Sequence, residues 1–421
     1  MKQQQLQTHA PLKKEISAGI VGYLTTVYIV AVNSSILSEA GVSVQNAMIA
    51  TILASVVGCL MLGFWANAPM ILIPGMGVNA LFAYSIVQGA GLTFQEGLGV
   101  VLVSSILFII VATTRLANWL QLAIPDSLKH AITVGLGFFL TLIGLEKGGV
   151  VVRGERSLVE LGSLTSPVVL VTLITLAIGI FLFVKNVPGH FLFTMASGTL
   201  LAYLFGVLDG NTSSMTFDVE WIFTPSLGAI DELAFWMSVF PLTIVLVFEN
   251  MGLLNGQLNM LNQPEKFKRS FQTTSISALT CAFFGTSPTV SSAESAAVIA
   301  SDGKTGKASI TTGLLFLITI AFIPFISWIP SMAISPILII VGALMVQNIR
   351  HISLEDLSEA IPAFLIIVMI PFTYSIADGM AFGFIAYPIV KLAIGQKKEI
   401  SVPIVIIACM FLAEFVFKAI G

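Results

Sequence analysis

Residues 120–144 read LQLAIPDSLKHAITVGLGFFLTLIG, and residues 325–349 read FISWIPSMAISPILIIVGALMVQNI. Both have a short apolar lead, an Ile-Pro pair, a small polar stretch and an apolar run carrying Val-Gly. The pairs Ile124-Pro125 and Ile329-Pro330 lie 205 residues apart, about half of the 421-residue chain. Two interrupted segments repeat at a similar interval. APMILIPGMGVNALFAYS (68–85) is broken by Pro74, Gly75 and Gly77, and FFGTSPTVSSAESAAVIASDG (283–303) is rich in Ser and Thr around Pro288. Gly75 and Gly285 are 210 apart. Two halves of about seven spans, related by duplication, must enter a membrane from opposite sides because seven is odd. Such an inverted repeat marks many secondary transporters.

Composition requires the membrane. Lys+Arg is 19 and Asp+Glu is 22, so charged residues make up 10% where soluble domains carry about 25%. The hydrophobic fraction is 56%. So little polar surface excludes a soluble enzyme and a disordered chain, and a net charge of −3 offers no field to nucleic acid. The chain is therefore expected to be an all-α polytopic protein in contact with a lipid bilayer. Apolar runs near 16–37, 47–66, 97–113, 128–146, 166–185, 188–207, 233–256, 268–284, 306–328, 332–348, 359–376, 378–393 and 400–420 are candidate spans. With the two interrupted segments, read as extended backbone before half-helices 3 and 10, the expectation is about fourteen spans in two inverted seven-span repeats. Ala377-Asp378-Gly379 reads as a turn, which leaves open whether 359–393 holds one broken span or two.

Basic residues set the orientation. Lys2, Lys13 and Lys14 precede the first span, which places the N-terminus in the cytoplasm of a cell-membrane protein; no signal peptide is read before that span. Arg115, Lys266, Lys268, Arg269, Lys304, Lys307 and Arg350 fall on the same side. The acidic loop 208–232, with Asp209, Asp218, Glu220, Asp231 and Glu232, falls outside, as does the glycosylation-like Asn211-Thr212-Ser213. The loop 147–165 disagrees, since it should lie outside yet holds Lys147, Arg153 and Arg156.

Broken helices in matching halves mark the binding site of such a transporter, where backbone N–H groups at a half-helix start can meet a flat polar ligand. Two acids stand out by isolation. Glu249 is the one charge between Leu233 and Leu261, and Glu294 the one between Ser270 and Ser301. A carboxylate in hydrocarbon is costly, so such acids normally face a cavity, and taking up a proton there suits ion coupling. Phe82, just after the first break, is a candidate platform for an aromatic ligand. Glu146 and Lys147 are expected to snorkel at a span end, and Glu414 with Lys418 to form an i,i+4 pair. Cys59, Cys281 and Cys409 read as buried spectator thiols. His9, His130, His190 and His351 lack metal spacing, so no metal site and no cofactor are assigned. No ATP-binding sequence is present, which leaves an ion gradient or the substrate gradient as energy source.

Five stretches carry a family resemblance: GMGVNALFAY (75–84), IPDSLKHAITVGLGFF (124–139), FGTSPTVSSAESAAVIASDGKTGKAS (284–309), SPILIIVGALMV (335–346) and PFTYSIADGMAFGFIAYPI (371–389). They resemble the hypoxanthine/guanine/adenine permease branch of the nucleobase–cation symporter-2 family, the azaguanine-permease-like proteins. The resemblance covers essentially the whole chain. It implies a core domain from 1–119 and 233–328 (spans 1–4 and 8–11) and a gate domain from 120–208 and 329–421 (spans 5–7 and 12–14), the gate often dimerising. It implies that Asn79 is the asparagine after the third-span break and that Glu249 bonds the ring N–H groups of the base. It likewise implies that Glu294 bonds the base edge, with Ser292 and Ala293 lending backbone groups. The branch pattern Asp-Leu-Phe-Asp-Thr-x-Gly reads here Leu246-Val247-Phe248-Glu249-Asn250-Met251-Gly252, so Leu246 replaces the first acid.

The function expected is import of a purine nucleobase (guanine, hypoxanthine or adenine) by proton symport with alternating access, Glu249 carrying the proton. A uracil/xanthine or anion transporter of the same fold, or a facilitator without ion coupling, is the alternative. An anion would be repelled by two acids unless they are protonated, and a channel would need rings of repeated residues.

Overall fold

The computed structural model describes residues 11–117, 119, 124–154, 157, 159–208 and 221–420. Lys2, His9, Arg156, Asp209, Asp218, Glu220 and Asn211-Thr212-Ser213 lie outside the described residues, as do the side chains of Glu414 and Lys418.

Apolar composition and the absence of water leave the backbone no partner but itself, and the chain is helical almost throughout. In chain order the helices are α1 (Leu12–Thr26), α2 (Ile29–Leu37), α3 (Val44–Met61), α4 (Met76–Ala80), α5 (Phe94–Thr113), α6 (Asp126–Lys147), α7 (Pro167–Val184) and α8 (His190–Leu204). The second half supplies α9 (Leu233–Met260), α10 (Phe267–Phe284), α11 (Ser295–Ala300), α12 (Gly306–Ile318), α13 (Ser331–Val346), α14 (Leu357–Thr373), α15 (Ile376–Ala393) and α16 (Val402–Ile420). Nine helices among the described residues are long and apolar enough to cross a membrane. That is fewer than the spans read from sequence, and the reasons are local. Elements three and ten are broken, α8 and α14 are short of eighteen residues, and α10 is diluted by Ser, Thr, Gln and Lys.

The two interrupted segments cross at the centre. Apart from a small hairpin after α6, where β2 (Val151–Val152) pairs with β3 (Glu160–Leu161), strand β1 (Leu72–Pro74) pairs antiparallel with β4 (Thr289–Ser291), with Ile73 opposite Val290. β1 and β4 each lead into a short helix, α4 or α11. A left-handed residue precedes each strand: Asn67 (φ 49°) and Gly285 (φ 79°), 218 positions apart. This corrects the expected match of Gly75 with Gly285. Gly75 follows its strand as the N-cap of α4, whereas Gly285 precedes its strand as the C-cap of α10. The counterpart of Gly285 is Asn67, and Asn tolerates the left-handed conformation nearly as Gly does.

Packing follows a pattern that survives exchange of the halves. α1 packs on α12 and α9 on α5; α3 packs on α12 and α10 on α5. The helices α6 and α13 pack on one another, α13 contacts α7 and α8, and α6 contacts α14 and α15. The stretch 359–393 holds two separate helices. Tyr374 (φ 55°) ends α14, and the Ser375 hydroxyl accepts the Asp378 N–H to start α15. The break thus lies at Tyr374-Ser375, and Asp378 belongs to the first turn of α15. α16 packs on α15 and α9 and has no first-half counterpart among the described residues. With so little covering it, α16 leaves Cys409 exposed, while Cys59 and Cys281 are buried as expected.

The two ends of the molecule differ. At one end the start of α1 meets the start of α12: buried Glu15 accepts the Lys304 and Thr305 N–H groups at 3.2 and 3.3 Å, and Lys14 pairs with Asp302 at 2.6 Å. The Lys14 ammonium, by hydrogen bond and charge, holds the Asp302 carboxyl below its usual range. Lys266 donates to the Asn67 carbonyl at the same end. At the opposite end Lys147 is bonded to Glu39 at 2.6 Å and Tyr374 donates to Glu146 at 2.6 Å. Neither Glu146 nor Lys147 snorkels. Lys147 is the last residue of α6 rather than part of the loop after it, and Glu39 pairs with its charge there.

Candidate functional site

The crossing strands leave a cavity of about 500 Å³ between them, α9 and the helix pair α6/α13. Its floor is backbone: Ile73 to Gly77 from one half and Val290 to Glu294 from the other. Gly75 N–H reaches the Pro288 carbonyl at 3.4 Å, Ser292 N–H reaches the Ile71 carbonyl at 2.9 Å, and Ile71 N–H reaches the Ser295 hydroxyl at 3.0 Å. A Cβ on Gly75 would come within 2.6 Å of the Val290 side chain, so only glycine lets the strands approach this closely.

Both isolated acids line the cavity. Their surroundings differ. Glu294 is the N-cap of α11, and both of its oxygens are engaged: Tyr28 donates to Oε1 at 2.6 Å and the Ser292 hydroxyl donates to Oε2. The Glu294 N–H returns to the Ser292 oxygen at 3.2 Å. Glu249, on α9, has a buried Oε2 with no partner among the described residues. A buried carboxylate oxygen left unsatisfied is costly, so Glu249 is the group poised to accept a hydrogen bond or a proton. Ser292 and Ala293 share the lining, and Ala293 is exposed to the cavity.

Asn79 and Phe82 lie elsewhere. Asn79 is fully buried, receives the Ser287 hydroxyl on Oδ1, and does not line the cavity. Phe82 is also fully buried, edge-on to Phe94 with ring centroids 5.6 Å apart. It lies on the loose helical turn 81–89 that continues α4, and its ring is spent on packing against α5. The aromatic rings that do line the cavity are Tyr28 and Phe248. Tyr28 stands at the break between α1 and α2, its ring 4.6 Å from Phe191 of α8.

Sequence reading missed Tyr28, Asn250 and Gln257. A signal existed: Asn250 and Gln257 are amides seven apart in an apolar helix, hence on one face. Both bond to the segment before Glu294.

The cavity opens at the lysine-rich end. Asp126, whose side chain is 82% exposed, marks the mouth together with Lys129, His130, Asn348 and His351. Lys129 pairs with Asp126 at 2.8 Å and lies 5.3 Å over the Phe248 ring. The other end is shut by contacts between α1–α4 and α6, α14 and α15. Besides Lys147–Glu39, the Ile376 N–H bonds the Ser85 hydroxyl at 2.9 Å, and the Tyr84, Phe139 and Tyr374 rings meet edge to face. One open and one sealed end around a membrane-depth cavity suit a carrier rather than a pore.

Comparison with known proteins follows from this geometry. The Permease family (Xan_ur_permease) matches residues 13–382. The chain is 46% identical over 383 residues to the nucleobase transporter PlAzg2 of Paenibacillus larvae, covering 89% of this chain and 76% of that protein. It is 37% identical over 419 residues to the guanine/hypoxanthine permease PbuO of Bacillus subtilis, covering 96% and 97%. Among solved structures, the transmembrane domain of the cyanobacterial bicarbonate transporter BicA superposes with a TM-score of 0.72 at 15% identity, covering 87% of this chain and 97% of that one. That likeness is one of fold.

Proposed function

The chain belongs to the Permease family, a family of membrane transporters, and from that premise we propose that it imports a purine nucleobase (guanine, hypoxanthine or adenine) across the cell membrane by proton symport. The observation that carries the reading is the pair of acids in one cavity, Glu294 held by Tyr28 and Ser292 and Glu249 with an oxygen free. These purines carry N–H donors on the ring or on an exocyclic amine, and carboxylates match donors rather than acceptors. The Ser292–Glu294 backbone is at hand for the rest of the edge. The similarity to a nucleobase transporter, PlAzg2, and to a guanine/hypoxanthine permease, PbuO, supports this substrate class.

Fourteen spans in two inverted seven-span repeats form the frame of this reading. Antiparallel pairing of β1 with β4, and a packing pattern that survives exchange of the halves, support it. With α1 and α2 counted as one broken span, seven elements up to α8 pair off with seven up to α15, and α16 stands apart among the described residues. The core (1–119 and 233–328) then carries the acids, and the gate (120–208 and 329–421) supplies α6 and α13 as the facing wall. With the lysine-rich end in the cytoplasm, the cavity faces inward. Glu249 takes the proton, since it is the acid without a fixed donor.

Uptake of labelled hypoxanthine into cells expressing the chain, competed by a panel of bases, tests the substrate class. Guanine, hypoxanthine or adenine should compete at micromolar concentration and uracil should not. Competition by uracil alone, or by bicarbonate, would overturn the purine assignment, and competition by xanthine alone would overturn the choice of guanine, hypoxanthine or adenine.

A further inference from the structure

Strand β4 has two edges but, among the described residues, only one neighbouring strand. Toward β1, Ser292 N–H bonds the Ile71 carbonyl. The other edge faces α9, whose side chains close it. Asn250 Oδ1 accepts the Ser291 N–H on that edge at 2.9 Å, and just past the end of the strand Gln257 Nε2 donates to the Ser292 carbonyl at 2.7 Å. Gln257 Oε1 accepts the Ser291 hydroxyl at 2.7 Å. Asn250 is fixed in turn by its Nδ2 donating to the Leu246 carbonyl at 2.8 Å. Both amides are buried, at 0% and 4% exposure.

Asn250 supplies the acceptor that a next strand would, and Gln257 supplies a donor where the chain leaves the ladder and a fixed partner for the Ser291 hydroxyl. A two-stranded ladder of three residues is marginal alone, and its open edge would sit at membrane depth without water. We propose that Asn250 and Gln257 are positioning residues that stand in for a third strand. They hold Ser291 to Ala293 against α9 and thereby fix where Ser292 presents the Glu294 carboxylate. Glu249 precedes Asn250 in the same helix, so one rigid element sets the spacing of the two acids. The inference deepens the nucleobase reading, and it rests on that reading only for its kinetic consequence.

Two measurements test it, on the full chain purified and reconstituted in liposomes. The first needs no substrate. Cysteine placed at Ala293 or at Leu253, both in the cavity lining, is titrated with a soluble maleimide in a background lacking Cys409. With Gln257→Met, the segment loses its outer edge, and modification at 293 should quicken by about threefold or more while the rate at 253 on α9 stays put. Equal rates at 293 in both backgrounds would overturn the positioning role. The second is KM for labelled hypoxanthine per reconstituted protein. Gln257→Met should raise KM about fivefold or more, and Ser291→Ala, which keeps both backbone bonds, should raise it less, about twofold. A purely structural role would lower the yield of folded protein and leave KM unchanged. Should Gln257→Met fail to fold, Ser291→Ala decides both measurements, and unchanged KM and unchanged thiol rate in that variant would overturn the inference. A parent protein that moves no purine sinks the substrate reading instead, and the thiol rates still decide the brace.

Discussion

Gly137 and Gly342 lie back to back where α6 crosses α13. A Cβ built on Gly137 would stand 2.6 Å from the Gly342 carbonyl oxygen, and one on Gly342 would collide with the Gly137 carbonyl. The two are 205 residues apart, the interval that separates Ile124-Pro125 from Ile329-Pro330. Equivalent residues that touch one another lie on the axis relating two copies. The repeat thus has a steric signature in the wall that faces the acids.

That contact leaves no room for a methyl group. Gly342→Ala should destabilise the protein by about 1–3 kcal/mol through overpacking, read as a lower melting temperature in detergent. Gly256→Ala is the control, because a Cβ there meets nothing within 4 Å. The helix should tolerate or gain from it. Equal melting temperatures for Gly342→Ala and the parent would show that the crossing is looser than described.

Glu249→Gln should abolish concentrative uptake while exchange of labelled for unlabelled base persists. The side chain keeps its shape and its place in the cavity but can no longer carry a proton. In the parent, an inward proton gradient should drive uptake into vesicles and an uncoupler should weaken it. A variant that still concentrates the base would remove Glu249 from coupling, and uptake that follows sodium alone would assign the ion elsewhere.

Tyr28 and Glu294 should act as a unit. Replacing Glu294 by Gln exchanges an acceptor oxygen for a donor where Tyr28 and Ser292 both donate. Losing a charge-assisted hydrogen bond costs roughly 1.5–3 kcal/mol, or about tenfold or more in affinity. Tyr28→Phe should cost less, and the double variant less than the sum, with a coupling of about 0.5–3 kcal/mol. Strict additivity in binding measurements on the four proteins would mean that the tyrosine does not set the carboxylate.

The sealed end should loosen when Lys147 loses Glu39. This pair is partly exposed, with side chains 13% and 42% accessible, so it contributes on the order of 1 kcal/mol or less. Glu39→Gln should therefore raise outside labelling of a cavity cysteine at Val341 by about fivefold at most, with a membrane-impermeant thiol reagent. Swapping the charges, Glu39→Lys with Lys147→Glu, should return labelling toward the parent. Labelling indifferent to both changes would place the seal in the Tyr84–Phe139–Tyr374 cluster.

Much of this molecule is legible in one dimension. The apolar runs, the Ile-Pro pairs and the Pro-, Gly- and Ser-rich breaks identify the membrane elements and the duplication, because lipid tolerates few other patterns. Glu249 and Glu294 stand out by the same physics, since a lone charge in an apolar span needs a reason. Other features were only half visible. Tyr374-Ser375 divides α14 from α15, although the Asp378-Gly379 pair three residues on looks more like a turn. The capping hydroxyl of Ser375 decides that, and capping outweighs turn propensity when a following helix can be packed.

Neighbourhood was decided by tertiary structure alone. Periodicity places a residue on a face of its own helix, but it carries no information about which distant element that face will meet. Asn79 and Phe82 follow the first break as closely as a binding residue should, yet neither lines the cavity: Phe82 packs on Phe94, and Asn79 accepts the Ser287 hydroxyl while its Nδ2 has no partner among the described residues. Tyr28, from a helix some 270 positions away, takes the place beside Glu294. Asn250 and Gln257 look like isolated polar residues until β4 is laid beside them. The sequence by itself determined that there would be two broken helices and two isolated acids in apolar spans. Only the antiparallel crossing of Leu72–Pro74 with Thr289–Ser291 decided that they share one cavity, because long-range pairing depends on which backbone groups remain unsatisfied once every helix has packed.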